Sequence, residues 1–323
     1  MVPKADFRSY YGRPILKPPV WTSDIAAYLF TGGLAAGSSV LAAGADLAGL
    51  PVMRRAGRST SVLALVASSF LLVRDLGRPE RFLNMLRVAK PTSPMSVGTW
   101  ILVAYGGAAS LAAAAEAAST PGLRHRLGRL RPLVAAAGRP AGLAAAVAAP
   151  PLATYTAVLL ADTAVPSWHD AHPYLPFVFA GSAMASGAAV GLLVAPDAEA
   201  GPARRLAVLG AAMELAGARA VTHRLGLAGE PYRTGRPGRL LRTGEALTAI
   251  GLGGALLGRS SRTARVASGT CLLAASLLTR FGIFEGGVAS TKDPRYVVEP
   301  QRARLEGADT VHAGAEGDPA AGP

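Results

Sequence analysis

Residues 174–194 read YLPFVFAGSAMASGAAVGLLV, a run of small and apolar side chains with no charge in it. A helix rises about 1.5 Å per residue, so about twenty such residues cross the hydrocarbon core of a bilayer. Seven further stretches of this kind lie on either side: 25–47, 59–73, 97–118 and 142–161 before it, and 206–223, 240–257 and 264–284 after it. The chain therefore reads as an all-α integral membrane protein of about eight transmembrane helices. Helices one to four and five to eight fall into two four-helix bundles, and an even number of crossings returns both termini to one side.

Composition agrees. Half of the residues are apolar, 16% are charged and only 6% aromatic, while Gly and Ala abound, as in membrane helices whose backbones approach closely. The net charge of +13 raises nucleic acid as a partner, but Lys and Arg gather in short segments between the apolar runs, the position of membrane flanks facing lipid headgroups. Nucleic-acid binding is excluded on that ground. Residues 1–24 form an N-terminal interfacial segment without the apolar stretch of a signal peptide, so insertion falls to the first helix. Residues 25–285 are the transmembrane domain. Residues 286–323 are a polar tail, expected to be disordered beyond about Gly307 because of its Ala, Gly, Pro and acidic content. Basic residues occur on both faces with a modest excess on the side of the termini, which places the termini in the cytoplasm and the chain in the cell's inner membrane.

The residue inventory limits the chemistry. A single cysteine, Cys271, makes no internal disulfide and cannot supply the thiolates of an iron–sulfur cluster. His223 is the one histidine in an apolar run, where a transmembrane haem needs a pair. His169 and His172 lie in a Pro-containing loop with Asp162 and Asp170, a spacing that does not orient metal ligands as a helical i, i+4 pair does. No metal, haem or cluster is expected in this chain.

Three stretches invite a functional reading. YYGRPILKPPVW (10–21) leads into Asp24 and Tyr28; alone it suits an aromatic surface anchor. Asp24 is either a favourable charge at a helix N-terminus or a proton exchanger at the membrane surface. The connection DLGRPERFLNMLRVAKPTSPMSVGTW (75–100) either sets topology or forms an amphipathic interfacial segment beneath a docked partner, with Arg78, Arg81, Arg87 and Lys90 as docking residues. On the fourth helix Pro150 and Pro151 remove backbone donors, and a kink there would make a cavity wall.

Together with YLFTGGLAAGS (28–38) and RFGIFEGGVASTKDPRYVVEPQR (280–302), these stretches resemble the NrfD-type family of polysulfide-reductase membrane subunits, from Tyr10 to about Arg304. The resemblance implies an eight- to nine-helix protein without a cofactor of its own, paired with a ferredoxin-like iron–sulfur subunit and often a molybdopterin catalytic subunit. It further implies exchange with menaquinone or another quinone near the docking face. The family's quinone-contacting tyrosine on the fourth helix corresponds to Tyr155, and its polar contacts on the first helix fall at Asp24 and Tyr28.

His169, Glu214 and Glu245 are the candidates for proton transfer, the last two because ionisable groups at membrane depth are costly and face the bundle interior. A structural ion pair between Glu214 and an arginine is the alternative. Arg280 and Glu285 read as side chains snorkelling at the end of the last helix. Two other functions remain open: a proton- or solute-translocating transporter built on the carboxylates and broken helices, and a passive membrane anchor.

Overall fold

The computed structural model describes residues 14–120, 128–258 and 261–315. Among the described residues every extended element is a helix. In chain order these are α1 (Ser23–Leu47), α2 (Pro51–Asp75), the short α3 (Arg81–Met85), α4 (Pro94–Ala118), α5 (Arg131–Ala161), the short α6 (Pro166–Asp170), α7 (Leu175–Val194), α8 (Gly201–Arg224), the single-turn α9 (Glu230–Arg233), α10 (Gly235–Leu257), α11 (Arg262–Ser290) and α12 (Arg295–Ala315). The first residues of the YYGRP motif (10–13), the basic stretch 121–127 and the tail 316–323 lie outside the described residues.

Seven of these helices are long and apolar enough to span a membrane. The eighth long helix of the series, α8, is less apolar, with Arg204, Arg205, Glu214, Arg219 and Arg224 along it, and it packs against α7 and α10. The described residues thus give about eight long helices from α1 to α11, and the segment before α1 meets α12: Leu16 shares a groove with Tyr296 and Pro300.

Helices α1, α2, α4 and α5 pack as one four-helix bundle and α7, α8, α10 and α11 as another, each first helix touching the second and the fourth. The bundles join along α1 and α7. At their crossing an added Cβ on Gly187 would lie 2.1 Å from the carbonyl carbon of Gly37. The two backbones touch there, which only glycine permits. Large side chains concentrate toward the end where α1 begins, where Tyr28, Trp168, Phe179 and Phe284 are buried together. The opposite half of the interface is mostly alanine.

Several helix ends differ from the sequence expectation, the furthest being the start of α5 at Arg131 in place of residue 142. Helix α2 starts at Pro51, not near residue 59, and α11 runs to Ser290, beyond residue 284. In both cases charged residues lower the hydropathy of segments that are nonetheless helical, because the charges find partners inside the protein. The polar tail begins with α12, which runs from Arg295 to Ala315.

Candidate membrane-face cavity

The start of α1 and the end of α2 are tied by two crossed contacts. Thr22 caps α1, its hydroxyl accepting the N–H of Asp24 at 3.3 Å, as N-cap side chains do. The same hydroxyl donates to Asp75 Oδ1 at 2.8 Å, and the Thr22 backbone N–H donates to that oxygen at 3.0 Å. Asp24 is ion-paired with Arg74. Thus two adjacent residues of α2 hold the beginning of α1, and they do so with opposite charges.

Behind these ties lies a cavity of about 80 Å³, bounded by α1, α2, α3, α4 and α5. Tyr28, Trp21, Asp75, Thr99 and Tyr155 supply its polar groups, and Ile25, Gly98 and several leucines with Met85 and Met95 supply the rest of the wall. Tyr28 is buried and Tyr155 half-buried. Among the described residues neither phenol oxygen has a hydrogen-bond partner. The Tyr155 ring lies directly on the backbone of α4: a Cβ added to Gly98 would come 2.3 Å from its Cε2. One residue earlier in α5, the Thr154 hydroxyl donates to the Pro150 carbonyl at 2.9 Å, and α5 continues through Pro150 and Pro151. Two phenols and one carboxylate around an apolar space can orient a planar molecule with carbonyl or hydroxyl groups and exchange protons with it.

Of the residues proposed for a ligand, Tyr155 and Tyr28 come together at this cavity. Asp24 does not line it; the neighbouring carboxylate that does is Asp75. In the sequence Asp75 sits in a charge-rich segment beside Arg74 and looks like part of a solvated loop. Its only distinguishing signal is its place at the end of an apolar helix.

Trp21 carries the cavity wall across to the second bundle. It stacks on Trp168 with ring centroids 5.9 Å apart, and Trp168 in turn lies 5.6 Å from the Phe284 ring. Trp168 is fully buried and its indole N–H donates to the Ile283 carbonyl at 2.9 Å. The next residue, His169, is exposed, its Nδ1 3.0 Å from the Ala161 carbonyl. It lines an open groove with Asp162, Asp170, Tyr296 and Arg304, separate from the cavity. Burial pushes the Tyr296 phenol above its ordinary value, so this groove presents it protonated.

Arg78, Arg81, Arg87 and Lys90 are all exposed on the connection between α2 and α4. Leu83 and Val88, 67% and 62% exposed, lie among them. The combination of cations and uncovered apolar groups agrees with an amphipathic surface segment, and α3 places Met85 of that segment in the cavity wall.

Glu214 and Glu245 lie in the second bundle, away from the cavity. Glu214 on α8 is 2% exposed and faces Ser182, Thr279 and Arg280. Arg280 corrects the sequence reading. It does not snorkel; it is 1% exposed, donates to the Phe179 carbonyl at 2.8 Å and lies 3.7 Å from the Phe179 ring centroid. The helix extends past Phe284, so Arg280 falls at depth and needs an internal counter-charge. The arginine facing Glu214 is therefore Arg280, and Arg219 acts instead on half-buried Glu245. Glu285 pairs with Arg236 at 3.2 Å.

A further polar cluster stands at the opposite membrane face. Glu116 of α4 accepts from Arg54 at 2.9 Å, Arg55 at 3.0 Å and Arg58 at 3.1 Å, while Asp46 of α1 pairs with Arg54 and Arg58 at 3.2 and 3.5 Å. The arginines of the first connection are thus helix-to-helix ties as well as topology charges.

Residues 15–219 match the family model described as Polysulphide reductase, NrfD. The match begins before α1 and ends within α8, so it includes every wall of the cavity. No curated protein matches the chain.

Proposed function

Because this chain belongs to the polysulphide reductase NrfD family, we propose that it is the quinone-reactive membrane subunit of a multi-subunit oxidoreductase. The observation that carries this reading is the pair of phenols, Tyr28 and Tyr155, which face one largely apolar cavity and have no hydrogen-bond partner among the described residues. In this reading menaquinone or another quinone places its ring in the cavity as a substrate. The phenols donate to its carbonyl oxygens, and Asp75, held by Thr22, relays protons. A quinol leaving as quinone releases two electrons and two protons; the reverse reaction consumes them. The electrons pass to a ferredoxin-like iron–sulfur subunit seated on α3 and the cations Arg78, Arg81, Arg87 and Lys90, and from it to or from a molybdopterin subunit.

The ring requires more space than the closed cavity offers. An engineered cavity of about 150 Å³ holds benzene, whereas this one has about 80 Å³. Met85 and Met95 are the walls that can yield, since methionine has three flexible torsions and no branch. Docking of a partner on α3 would then alter the cavity directly through Met85.

The decisive experiment purifies the chain with its native associates and measures iron content and quinol oxidation together. Co-purifying iron–sulfur protein with quinone-dependent reduction of its cluster supports the reading, and a stable complex containing no iron–sulfur partner overturns it. A second reading, ion or solute translocation, draws on the buried Glu214 and Arg280 with Glu245 nearby, and on His169 as a surface proton acceptor. It requires transport by the chain alone in liposomes.

A further inference from the structure

Thr99 and Leu102 on α4 face two spaces. On one side is the cavity; on the other is a groove of about 190 Å³ between α2 and α4, lined also by Leu65, Phe82 and Gly106. The groove exists because α2 and α4 touch each other far less than α2 touches α1 or α4 touches α5. From Thr99 to Ser110 it follows α4 for about 16 Å at about 1.5 Å per residue. It begins beside the cavity, near the helix start, and runs toward the middle of the bilayer.

The glycines on its floor differ from those elsewhere in the fold. A Cβ on Gly37 or Gly98 would collide with a neighbour, but one on Gly107 would meet nothing within 4 Å, and one on Gly106 only the Leu65 side chain at 3.4 Å. Glycine in a helix is destabilising relative to alanine, and helix packing does not require it at these two positions. What the glycines do is leave the groove deep. Leu65, Phe82, Leu102 and Val103 make most of its wall apolar, Val103 being 41% exposed, and Ser69 and Ser110 also line it.

We propose that this groove holds the polyprenyl tail of the same quinone whose ring the cavity receives, with Thr99 and Leu102 as the lip between them. The inference rests on the quinone reading above. Continuity identifies the occupant: a molecule with a polar-edged ring at the membrane surface and a long apolar tail directed to the bilayer centre fits both spaces at once. The groove is also a lateral route by which the quinone reaches the cavity from lipid rather than from water.

The test compares a long-tailed quinol with a tail-less analogue as substrates of the purified complex, in wild type and in Gly107→Phe, which fills the groove without reaching the cavity. Ser110→Phe, at the far end of the groove, is the second variant, so that a folding defect in one does not decide the matter. The expected result is a KM for the long-tailed quinol raised about tenfold or more, with the tail-less analogue unchanged in both KM and kcat. Unchanged constants for both quinols overturn the tail groove, as does an equal shift for both. Loss of a co-purified phospholipid with an unchanged KM likewise overturns it and assigns the groove to a lipid chain. If wild type oxidises neither quinol, the quinone reading itself falls and this inference with it.

Discussion

Asp75 accepts two hydrogen bonds from Thr22, one from its backbone N–H and one from its hydroxyl, and this fixes a carboxylate at the edge of the cavity. Asp24, by contrast, is spent on Arg74 at the surface. Asp75→Asn should lower quinol turnover by roughly a hundredfold, the range of a lost general base. Asp24→Asn, which breaks only an exposed ion pair, should leave turnover within about twofold. Steady-state assays of the two variants separate the carboxylates, and equal losses would contradict the assignment.

Tyr155→Phe removes a hydroxyl that has no partner among the described residues, so thermal unfolding of the complex should stay unchanged. Turnover with quinol should fall about tenfold, the value of one hydrogen bond to a bound carbonyl. Under a passive-anchor role the same variant would leave turnover intact.

Gly98→Ala places a methyl group where the Tyr155 ring now lies, 2.3 Å away. Overpacking of this kind costs about 1–3 kcal/mol. The expected outcome is a lowered unfolding temperature together with a raised KM for quinol, because the ring that moves is the one proposed to contact it. A lower unfolding temperature with an unchanged KM would remove Tyr155 from the binding surface.

At the opposite face, Glu116→Gln should destabilise the protein by about 3–5 kcal/mol, the usual effect of breaking a buried pair, because Arg58 is left with less compensation at 8% side-chain exposure. Arg55→Ala should have little effect, since that side chain is 62% exposed. Thermal unfolding in detergent reads both, and quinol KM should not move in either.

The helices themselves were legible from hydropathy, because a long uncharged run has few alternatives. What hydropathy misjudged were charged residues paired within the fold. Arg54 and Arg58 depress the first turns of α2, so the segment looks like a loop until Glu116 and Asp46 arrive from α4 and α1. Arg280 looked like an end residue for the same reason. Tyr155 and Tyr28 were accessible through family resemblance; Asp75 was not, because its distinction from Asp24 depends on which way each side chain turns at the junction of two helices. The groove between α2 and α4 was likewise hidden, since a helix's loose packing against one neighbour leaves no mark in its own sequence.

The stack of Trp21 on Trp168 gives the protein an optical handle. The chain has three tryptophans, and Trp21 lines the cavity while touching a second indole that water does not reach. Quinones quench indole emission, and coupled indoles share excitation, so one ligand beside Trp21 would dim both. Occupancy of the cavity can then be followed by intrinsic fluorescence, with no label, and Trp21→Phe supplies the blank.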